Sequence, residues 1–156
     1  MTPCINVAKK NKITHKIHKY KHDPGNESYG LEAVVKLGVS ESRVFKTLVV
    51  SLDNGKMVVG VIPVSSKLSM KLISKSAGGK KAVMAKPLEV ERSTGYILGG
   101  VSPLGQKKQL NTIIDSSAKD HSTIFVSAGR RGLEIELSPD DLKNLTNGSY
   151  AEICKT

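Results

Sequence analysis

The sequence lacks most of the residues that mark metalloproteins, secreted proteins and membrane proteins. It contains no tryptophan, aromatic residues make up 4% of it, and its two cysteines, Cys4 and Cys154, lie near opposite ends. Neither cysteine belongs to a CxxC pair or stands at metal-ligand spacing from a histidine, so we expect no metal site. The first apolar stretch, residues 4–8, is followed by two lysines and is too short for a signal peptide or a membrane span. We therefore expect a cytoplasmic protein with no membrane partner.

The motifs of the common enzyme classes are missing as well. The sequence shows no convincing Ser/His/Asp set, no paired carboxylates with a metal signature, no P-loop and no dinucleotide-binding fingerprint. We expect no cofactor. The four histidines, at positions 15, 18, 22 and 121, are interpreted as ordinary surface residues. If the protein is an enzyme, it supplies binding and electrostatics, and the nucleophile comes from water or from the substrate.

Positive charge is what the sequence has in excess. Its 24 lysines and arginines outnumber 14 acidic residues, which gives a net charge of +10 at pH 7 over 156 residues. Six lysines fall between residues 9 and 21, and basic pairs occur at 80–81, 107–108 and 130–131. Such a surplus favours a polyanionic partner through electrostatic steering and counterion release. Nucleic acid is the favoured partner, and a basic surface that only maintains solubility is the alternative.

The pattern of turns and periodicity predicts more strands than helices. Length and composition fit one domain, which we place at residues 1–156. Helices are predicted at 3–11, 28–38, 68–76, 88–93 and after residue 138. Thr2 and Ser138 are the predicted N-caps of the first and last of these, and Gly38 is the predicted C-cap of the second. Strands are predicted at 12–20, 43–52, 56–64, 80–85, 96–98, 110–117, 122–129 and 133–137. An Asp-Asn-Gly turn at 53–55 predicts that the second and third of these form a hairpin. In the last strand, alternation places Glu134 and Glu136 outward. This order indicates an α+β fold with a mixed, largely antiparallel, β-barrel-like sheet surrounded by helices.

One strand carries a lysine on an otherwise aliphatic face. In "RVFKTLVVSL", residues 43–52, Lys46 shares its side of the strand with Val44, Leu48 and Val50. Strand periodicity alone favours an edge strand whose lysine stem covers apolar surface while the ammonium reaches water. The alternative is a lysine in the wall of a pocket.

Two glycine-rich stretches are the other unusual features. In the first, residues 93–108, Gly99 and Gly100 follow an apolar triplet, and such a pair allows another molecule to approach the main chain closely. Its amide N–H groups could stabilise a phosphate or an oxyanion, although a glycine pair is more often a turn. The second, residues 126–137, places Ser127 beside a five-residue bend, 128–132, that contains two arginines. No GxSxG elbow surrounds Ser127, so a turn residue is favoured over a nucleophile.

Several motifs together resemble the YbaK/EbsC family of aminoacyl-tRNA editing domains. They occur in order from the first residues to about residue 145: "MTP", "HKYKHDP", "SYG", "FKTLVV", "STGYILGGVSPLGQKK" and "VSAGRRGLEIEL". The resemblance implies a free-standing editing domain that cleaves cysteine from mischarged Cys-tRNA(Pro), with Cys-tRNA(Cys) as a further substrate. It also implies a barrel-like mixed sheet surrounded by helices, which agrees with the fold class above.

The resemblance assigns roles to eight residues. The family's functional lysine falls on Lys46 and its first loop glycine on Gly99, which we take as catalytic. Substrate-binding positions fall on a further set: Tyr20, Tyr29, Thr47, Gly100, Ser127 and Glu134. Tyr29 stands where phenylalanine is expected and keeps the aromatic wall. Glu134 stands where aspartate or serine occurs, which leaves its role open.

The family's mechanism agrees with the missing catalytic triad. The thiol of the substrate cysteine attacks its own ester carbonyl and releases the tRNA, with a cyclic thioester as product. Backbone N–H groups around Gly99 would stabilise the oxyanion. Lys46 would either hold a phosphate of the terminal nucleotide or stabilise developing negative charge.

The expected partners are the 3′ end of an aminoacylated tRNA and prolyl-tRNA synthetase, in a ternary complex. Two alternatives remain: editing of another ester such as Ala-tRNA(Pro), and a non-catalytic module that binds tRNA or a synthetase.

Overall fold

The computed structural model describes residues 1–26 and 28–156, and its helices and strands confirm the α+β class. The described residues form five α-helices: α1 (Pro3–Lys10), α2 (Tyr29–Leu37), α3 (Met70–Ser76), α4 (Pro87–Thr94) and α5 (Pro139–Thr146). They also form eight strands: β1 (His15–Lys19), β2 (Phe45–Leu52), β3 (Met57–Pro63), β4 (Ala82–Met84), β5 (Asn111–Asp115), β6 (Ile124–Arg130), β7 (Leu133–Leu137) and β8 (Ser149–Ala151). A short 3-10 helix, Ser116–Asp120, follows β5.

The helices begin and end where their capping residues predict. The Thr2 hydroxyl accepts a hydrogen bond from the Ile5 N–H at the start of α1, and Ser138 caps α5 by accepting from the Asp141 N–H at 3.1 Å. Helix α2 ends at Gly38, whose φ of +65° is the left-handed conformation that favours glycine at this position. Local chemistry therefore determines these boundaries.

A five-stranded sheet carries the two central strands. Its strand order is β4-β2-β3-β5-β8, with β2 antiparallel to β3 and β4, and β5 parallel to β3 and β8. The predicted β2–β3 hairpin is confirmed, and β3 is buried on both faces because apolar clusters cover each side of the sheet. Strand β8 was not predicted, since three residues, Ser-Tyr-Ala, are too few to show a period.

A second, three-stranded sheet has the order β1-β7-β6 and is antiparallel throughout. It meets the larger sheet where Val44, just before β2, forms a parallel bridge with Phe125. The Phe125 N–H donates to the Arg43 carbonyl at 2.9 Å, and the Val64 N–H donates to the Val44 carbonyl at 2.9 Å. The described strands curl around a shared core but do not close into a barrel.

Several predicted strands differ from the structure in their bounds, and one is absent. Strand β1 begins at His15 rather than at residue 12, and Tyr20 follows its end, with its N–H donated to the Gly132 carbonyl at 2.9 Å. Residues 96–98, predicted as a strand, are loop and turn. No strand in the described residues pairs with them, and a turn follows at Gly99. Tyr96 is buried in the core, whereas Ile97 and Leu98 are 72% and 49% exposed.

No helix in residues 1–26 and 28–156 has both the length and the apolar character needed to cross a bilayer.

The glycine-rich loop between α4 and β5 is packed against the start of α1. Gly105 has φ +70°, and a Cβ there would lie 2.5 Å from the carbonyl carbon of Pro3. The Thr2 hydroxyl in turn donates to the Ala128 carbonyl of β6. Helix α1 thus connects the glycine-rich loop to the strand that leads into the second glycine-rich bend.

We expect Gly105→Ala to destabilise the protein more than Gly55→Ala does. Both glycines have positive φ, but a Cβ at Gly55 would meet nothing within 4 Å. Gly55→Ala should therefore lower the free energy of unfolding by about 1–2 kcal/mol from backbone strain alone. Gly105→Ala should lower it by about 1–3 kcal/mol more, because a main-chain segment would have to move. Urea unfolding measures both values, and equal losses would contradict the close packing of this loop.

Candidate functional site

A cavity of about 480 Å³ opens between the start of α2, the first half of β2, the 98–101 loop and the ends of β6 and β7. Its volume is within the range of about 300–1,000 Å³ that is usual for small-ligand sites. Phe45, Leu48, Val64 and Val101 supply apolar wall. The cavity therefore lies where the two sheets meet.

Seven of the eight residues assigned by the family resemblance line this cavity. They are Lys46 and Thr47 from β2, Tyr20 and Tyr29, Gly99, Ser127 from β6 and Glu134 from β7. Gly100 is the exception, because it is buried behind the wall, where a Cβ would lie 2.8 Å from the Cα of Arg130. Residues separated by more than a hundred positions are thus brought to one site, while their roles remain predictions.

Lys46 lines the cavity from a part of β2 that has a partner strand on one edge alone. Strand β4 pairs with residues 50–52 alone, so Lys46 is paired with Ile62 of β3 and has no partner strand on its other side among the described residues. Both earlier interpretations of Lys46 are therefore partly right. Its ammonium donates to the Val64 carbonyl at 3.5 Å, and burial, together with nearby Lys67, lowers its pKa.

The neighbouring Thr47 places an unpartnered hydroxyl in the same wall. Its Oγ1 is buried and has no hydrogen-bond partner among residues 1–26 and 28–156. Leaving a buried hydroxyl without a partner costs about 1–3 kcal/mol. A bound molecule that supplies a donor or an acceptor would remove that cost.

Glu134 is the largest departure from the sequence-based interpretation of the site. Alternation placed it outward, but its exposed fraction is 7%, because at this point of β7 the side chain lines the cavity. On the same face, Glu136 keeps contact with solvent and pairs with His18 and Arg43. The carboxyl group of Glu134 has no hydrogen bond to another described residue, and burial raises its pKa to about 8.

Aromatic and hydroxyl groups complete the opposite side. Burial, with the nearby charges of Glu134 and Glu32, raises the pKa of Tyr20 to about 12, so its hydroxyl remains a donor. Ser127 accepts a hydrogen bond from the Gly129 N–H at 3.2 Å. No histidine or cysteine lines the cavity in the described part of the chain, and no hydrogen bond joins the Ser127 or Thr47 hydroxyl to Lys46 or Glu134 there.

Gly99 is required by close contact as well as by backbone conformation. Its φ is +92°, and a Cβ would lie 2.7 Å from the Tyr29 ring and 2.9 Å from Nε of Arg131. The Gly100 N–H is used inside the turn, where it donates to the Ile97 carbonyl at 2.9 Å. The Gly99 N–H has no backbone acceptor among the described residues.

Sequence reasoning missed a group of side chains beside Gly99. The Arg131 guanidinium lies over the Tyr29 ring at 3.6 Å and contacts His22, which in turn contacts Glu32. His22 is therefore not the ordinary surface residue that was predicted. The predicted five-residue bend is also shorter, because β6 continues to Arg130 across a bulge. The adjacent arginines of the "RRG" triplet were the available signal, but they were interpreted only as part of the general positive charge.

The described residues contain no cluster of three or more His, Cys, Asp or Glu side chains arranged to hold a metal ion. Cys4 and Cys154 are both free thiols, and burial raises the pKa of each to about 11. The site thus combines the cations Lys46, Arg130 and Arg131 with one acid and several hydroxyls.

Comparison with known proteins identifies the family. The aminoacyl-tRNA editing domain matches residues 27–145. This chain belongs to the aminoacyl-tRNA editing family. It is 39% identical over 153 residues to EbsC of Enterococcus faecalis (strain ATCC 700802 / V583), named as a candidate Cys-tRNA(Pro)/Cys-tRNA(Cys) deacylase; the match covers 97% of this chain and 92% of EbsC. It is 32% identical over 125 residues to the uncharacterised protein YwhH of Bacillus subtilis (strain 168), covering 80% and 79% of the two chains.

A solved structure supports the editing-domain fold. It is that of a candidate trans-editing enzyme for prolyl-tRNA synthetase, with a TM-score of 0.83 and 20% identity over 100% of this chain and 99% of the other. At that identity the likeness concerns the fold alone. The predicted family and fold class are therefore confirmed.

The buried Glu134 predicts a pH-dependent difference in stability. Its native pKa of about 8 lies above the ordinary value of 4.5, so the native state keeps a proton that the unfolded chain releases. The free energy of unfolding contributed by this group therefore falls as pH rises from about 4.5 to about 8. Glu134→Gln removes this titration. The free energy of unfolding of the variant, relative to that of wild type, should therefore rise by roughly a few kcal/mol between pH 5 and pH 9.

Chemical unfolding at a series of pH values measures this difference. The control is Glu152→Gln, at an exposed position outside the cavity, which should follow wild type at every pH. If Glu134→Gln and wild type change in parallel with pH, Glu134 is not held in a desolvated site.

Proposed function

We propose that this protein cleaves cysteine from mischarged Cys-tRNA(Pro), with Cys-tRNA(Cys) as a second substrate. The observation that carries the proposal is the composition of the cavity. It gathers cations, hydroxyl groups and one buried acid, but no activated nucleophile in its described lining. Such a site suits a reaction in which the substrate brings its own nucleophile. Family membership and the similarity to EbsC support the same class of substrate.

The chemistry follows from the substrate cysteine. Its thiol ionises far more readily than a hydroxyl, and the thiolate attacks the carbonyl carbon of its own ester. A C–S bond forms, the tetrahedral oxyanion collapses, and the bond to the ribose oxygen breaks. That oxygen takes up a proton and leaves as the free 3′ end of the tRNA, while cysteine leaves as a cyclic thioester that water then opens. Holding the thiol near the carbonyl is the main task of the protein.

Three groups in the cavity have matching roles in this proposal. Lys46 places positive charge at the reacting ester, where its partly desolvated ammonium stabilises developing negative charge. The Gly99 N–H donates to the oxyanion. Glu134 receives the ammonium of the aminoacyl group, which would supply the counter-charge that this buried carboxyl lacks in the described structure. Seryl and alanyl esters should be spared, because neither offers a thiol.

We expect wild-type protein to release cysteine from tRNA(Pro) and to leave alanine and serine attached. Lys46→Ala should lower kcat/KM for Cys-tRNA(Pro) by at least about 100-fold, as expected for loss of a charge that stabilises the transition state. The matched control is Lys56→Ala, at an exposed position on the β2–β3 turn, which removes the same charge from outside the cavity. Release of radiolabelled amino acid from each charged tRNA measures these rates.

Two outcomes would contradict the proposal. Efficient release of alanine with cysteine retained would assign a different ester to this site. Wild-type protein that binds tRNA but deacylates none of the three charged tRNAs would favour the non-catalytic binding module, and a wild-type maximal rate in Lys46→Ala would remove the role assigned to that residue.

Selection of the correct tRNA requires a partner in this proposal. The chain has no recognisable anticodon-reading module, and we propose that prolyl-tRNA synthetase supplies the specificity in a ternary complex. The family resemblance suggests this partner, and the solved structure of the same fold is described as that of a candidate trans-editing enzyme for prolyl-tRNA synthetase. Analytical ultracentrifugation should show a larger species when tRNA(Pro), prolyl-tRNA synthetase and this protein are mixed than in any pairwise mixture. Identical sedimentation with cysteinyl-tRNA synthetase in its place would contradict this partner.

A further inference from the structure

A series of hydrogen-bonded side chains holds Arg131 at the rim of the cavity. One guanidinium nitrogen, Nη1, contacts Nε2 of His22 at 2.8 Å, and Nδ1 of His22 contacts Oε1 of Glu32 at 2.6 Å. The second carboxylate oxygen of Glu32 accepts the Asp23 N–H at 2.8 Å. The guanidinium also covers the Tyr29 ring at 3.6 Å. Arg131 is thus held both at one edge and across one face.

The donors and acceptors in this chain can be ordered in only one way. Arginine has no acceptor, so Nε2 of His22 accepts and Nδ1 carries the proton that is donated to Glu32. Glu32 is 2% exposed, and although its burial opposes ionisation, hydrogen bonds from His22 and Asp23 keep its pKa below the ordinary value. A buried carboxylate therefore anchors the far end, and little side-chain entropy remains to be lost when Arg131 binds a ligand.

The anchored guanidinium still has donors to offer. Its hydrogen bond goes to a neutral imidazole, and no described carboxylate forms an ion pair with it. Nε lies beside Gly99, where a Cβ would come within 2.9 Å, and Arg131 lines the cavity. A fixed, planar, positively charged donor at a cavity rim is suited to an oxyanion, and to phosphate above all.

The groups at a charged tRNA 3′ end restrict which one Arg131 contacts. The aminoacyl group carries an ammonium and the terminal base is neutral, so the anions are the backbone phosphates. Lys46 and Glu134 lie elsewhere in the cavity wall, on β2 and β7. We infer that Arg131 binds the 5′-phosphate of the terminal adenosine, with His22 and Glu32 as positioning residues. This inference rests on the proposed function for the identity of the nucleic acid, and it leaves Lys46 free to act at the ester.

The test compares adenosine 5′-monophosphate with adenosine as ligands, measured by NMR titration of the whole protein. Wild type should bind the monophosphate about 10- to 100-fold more tightly, which corresponds to one charge-assisted hydrogen-bonded contact of about 1.5–3 kcal/mol. Arg131→Gln should lower the affinity for the monophosphate to nearly that for adenosine, and it should leave the affinity for adenosine unchanged. Arg131→Lys keeps the positive charge but loses the planar guanidinium, which stacks on Tyr29 and can donate two parallel hydrogen bonds. It should retain only part of the preference for the monophosphate. Arg92→Gln, at an exposed arginine of α4 outside the cavity, should behave as wild type.

The preference ratio also tests the positioning residues. His22→Gln should lower the ratio without abolishing it, because the arginine remains but is less well fixed. The ratio does not depend on the fraction of folded protein, since both ligands are titrated into the same sample. In the deacylation assay, Arg131→Gln should raise KM for Cys-tRNA(Pro) several-fold and leave kcat within about twofold, as expected for binding that is equal in the ground and transition states.

Three results would overturn the inference. They are equal affinities of wild type for the two ligands, an Arg131→Gln protein that keeps the preference, and an Arg131→Gln protein that loses both affinities alike. The last would mean that Arg131 stacks with the base or only supports Tyr29. Failure of the proposed function is a separate result, because a protein that deacylates no charged tRNA can still distinguish the monophosphate from adenosine.

Discussion

Close approach of main-chain segments at glycines is the constraint on which the rest of this structure depends. The loop between α4 and β5 lies against the start of α1 at Gly105 and against the β6–β7 bend at Gly100, with no space for a Cβ at either position. Gly99 then lies under the Tyr29–Arg131 stack. Two glycine-rich stretches that are far apart in sequence are thereby fixed to each other, and the cavity is the space that they leave beside β2.

The cavity wall contains groups that folding alone does not favour. A buried hydroxyl without a partner, a desolvated ammonium and an acid with a raised pKa each make the free protein less stable than an apolar wall would. Groups of this kind concentrate at functional sites, because a ligand can satisfy what the protein does not. The network from Glu32 to Arg131 is different, since its members satisfy one another and hold one cation in place. The wall thus combines polar groups that lack a protein partner with one cation, Arg131, that is already fixed in position.

How far the sequence could predict this site depended on the range of the interactions involved. Caps at Thr2 and Ser138, the stop at Gly38 and the β2–β3 hairpin are set by neighbouring residues, and all were predicted correctly. Glu134 was placed outward because alternation along one strand carries no information about what covers its second face. His22 and Arg131 are 109 positions apart, so no local pattern could join them. Seven of the eight residues chosen from the family resemblance line the cavity. A family motif can identify site residues that are distant in sequence, which the periodicity of a single strand cannot do.

The central claim is that the thiol of the substrate performs the attack, and that the protein contributes geometry and charge. Its most direct test compares the deacylation of cysteinyl-tRNA(Pro) with that of S-methylcysteinyl-tRNA(Pro) by the wild-type protein in single turnovers. The methyl group blocks the nucleophile and keeps the ester, the ammonium and the sulfur atom in place. We predict rapid release of cysteine and no release of S-methylcysteine above the uncatalysed rate. Release of both at similar rates would show that water, activated by the protein, is the nucleophile, and would contradict the mechanism.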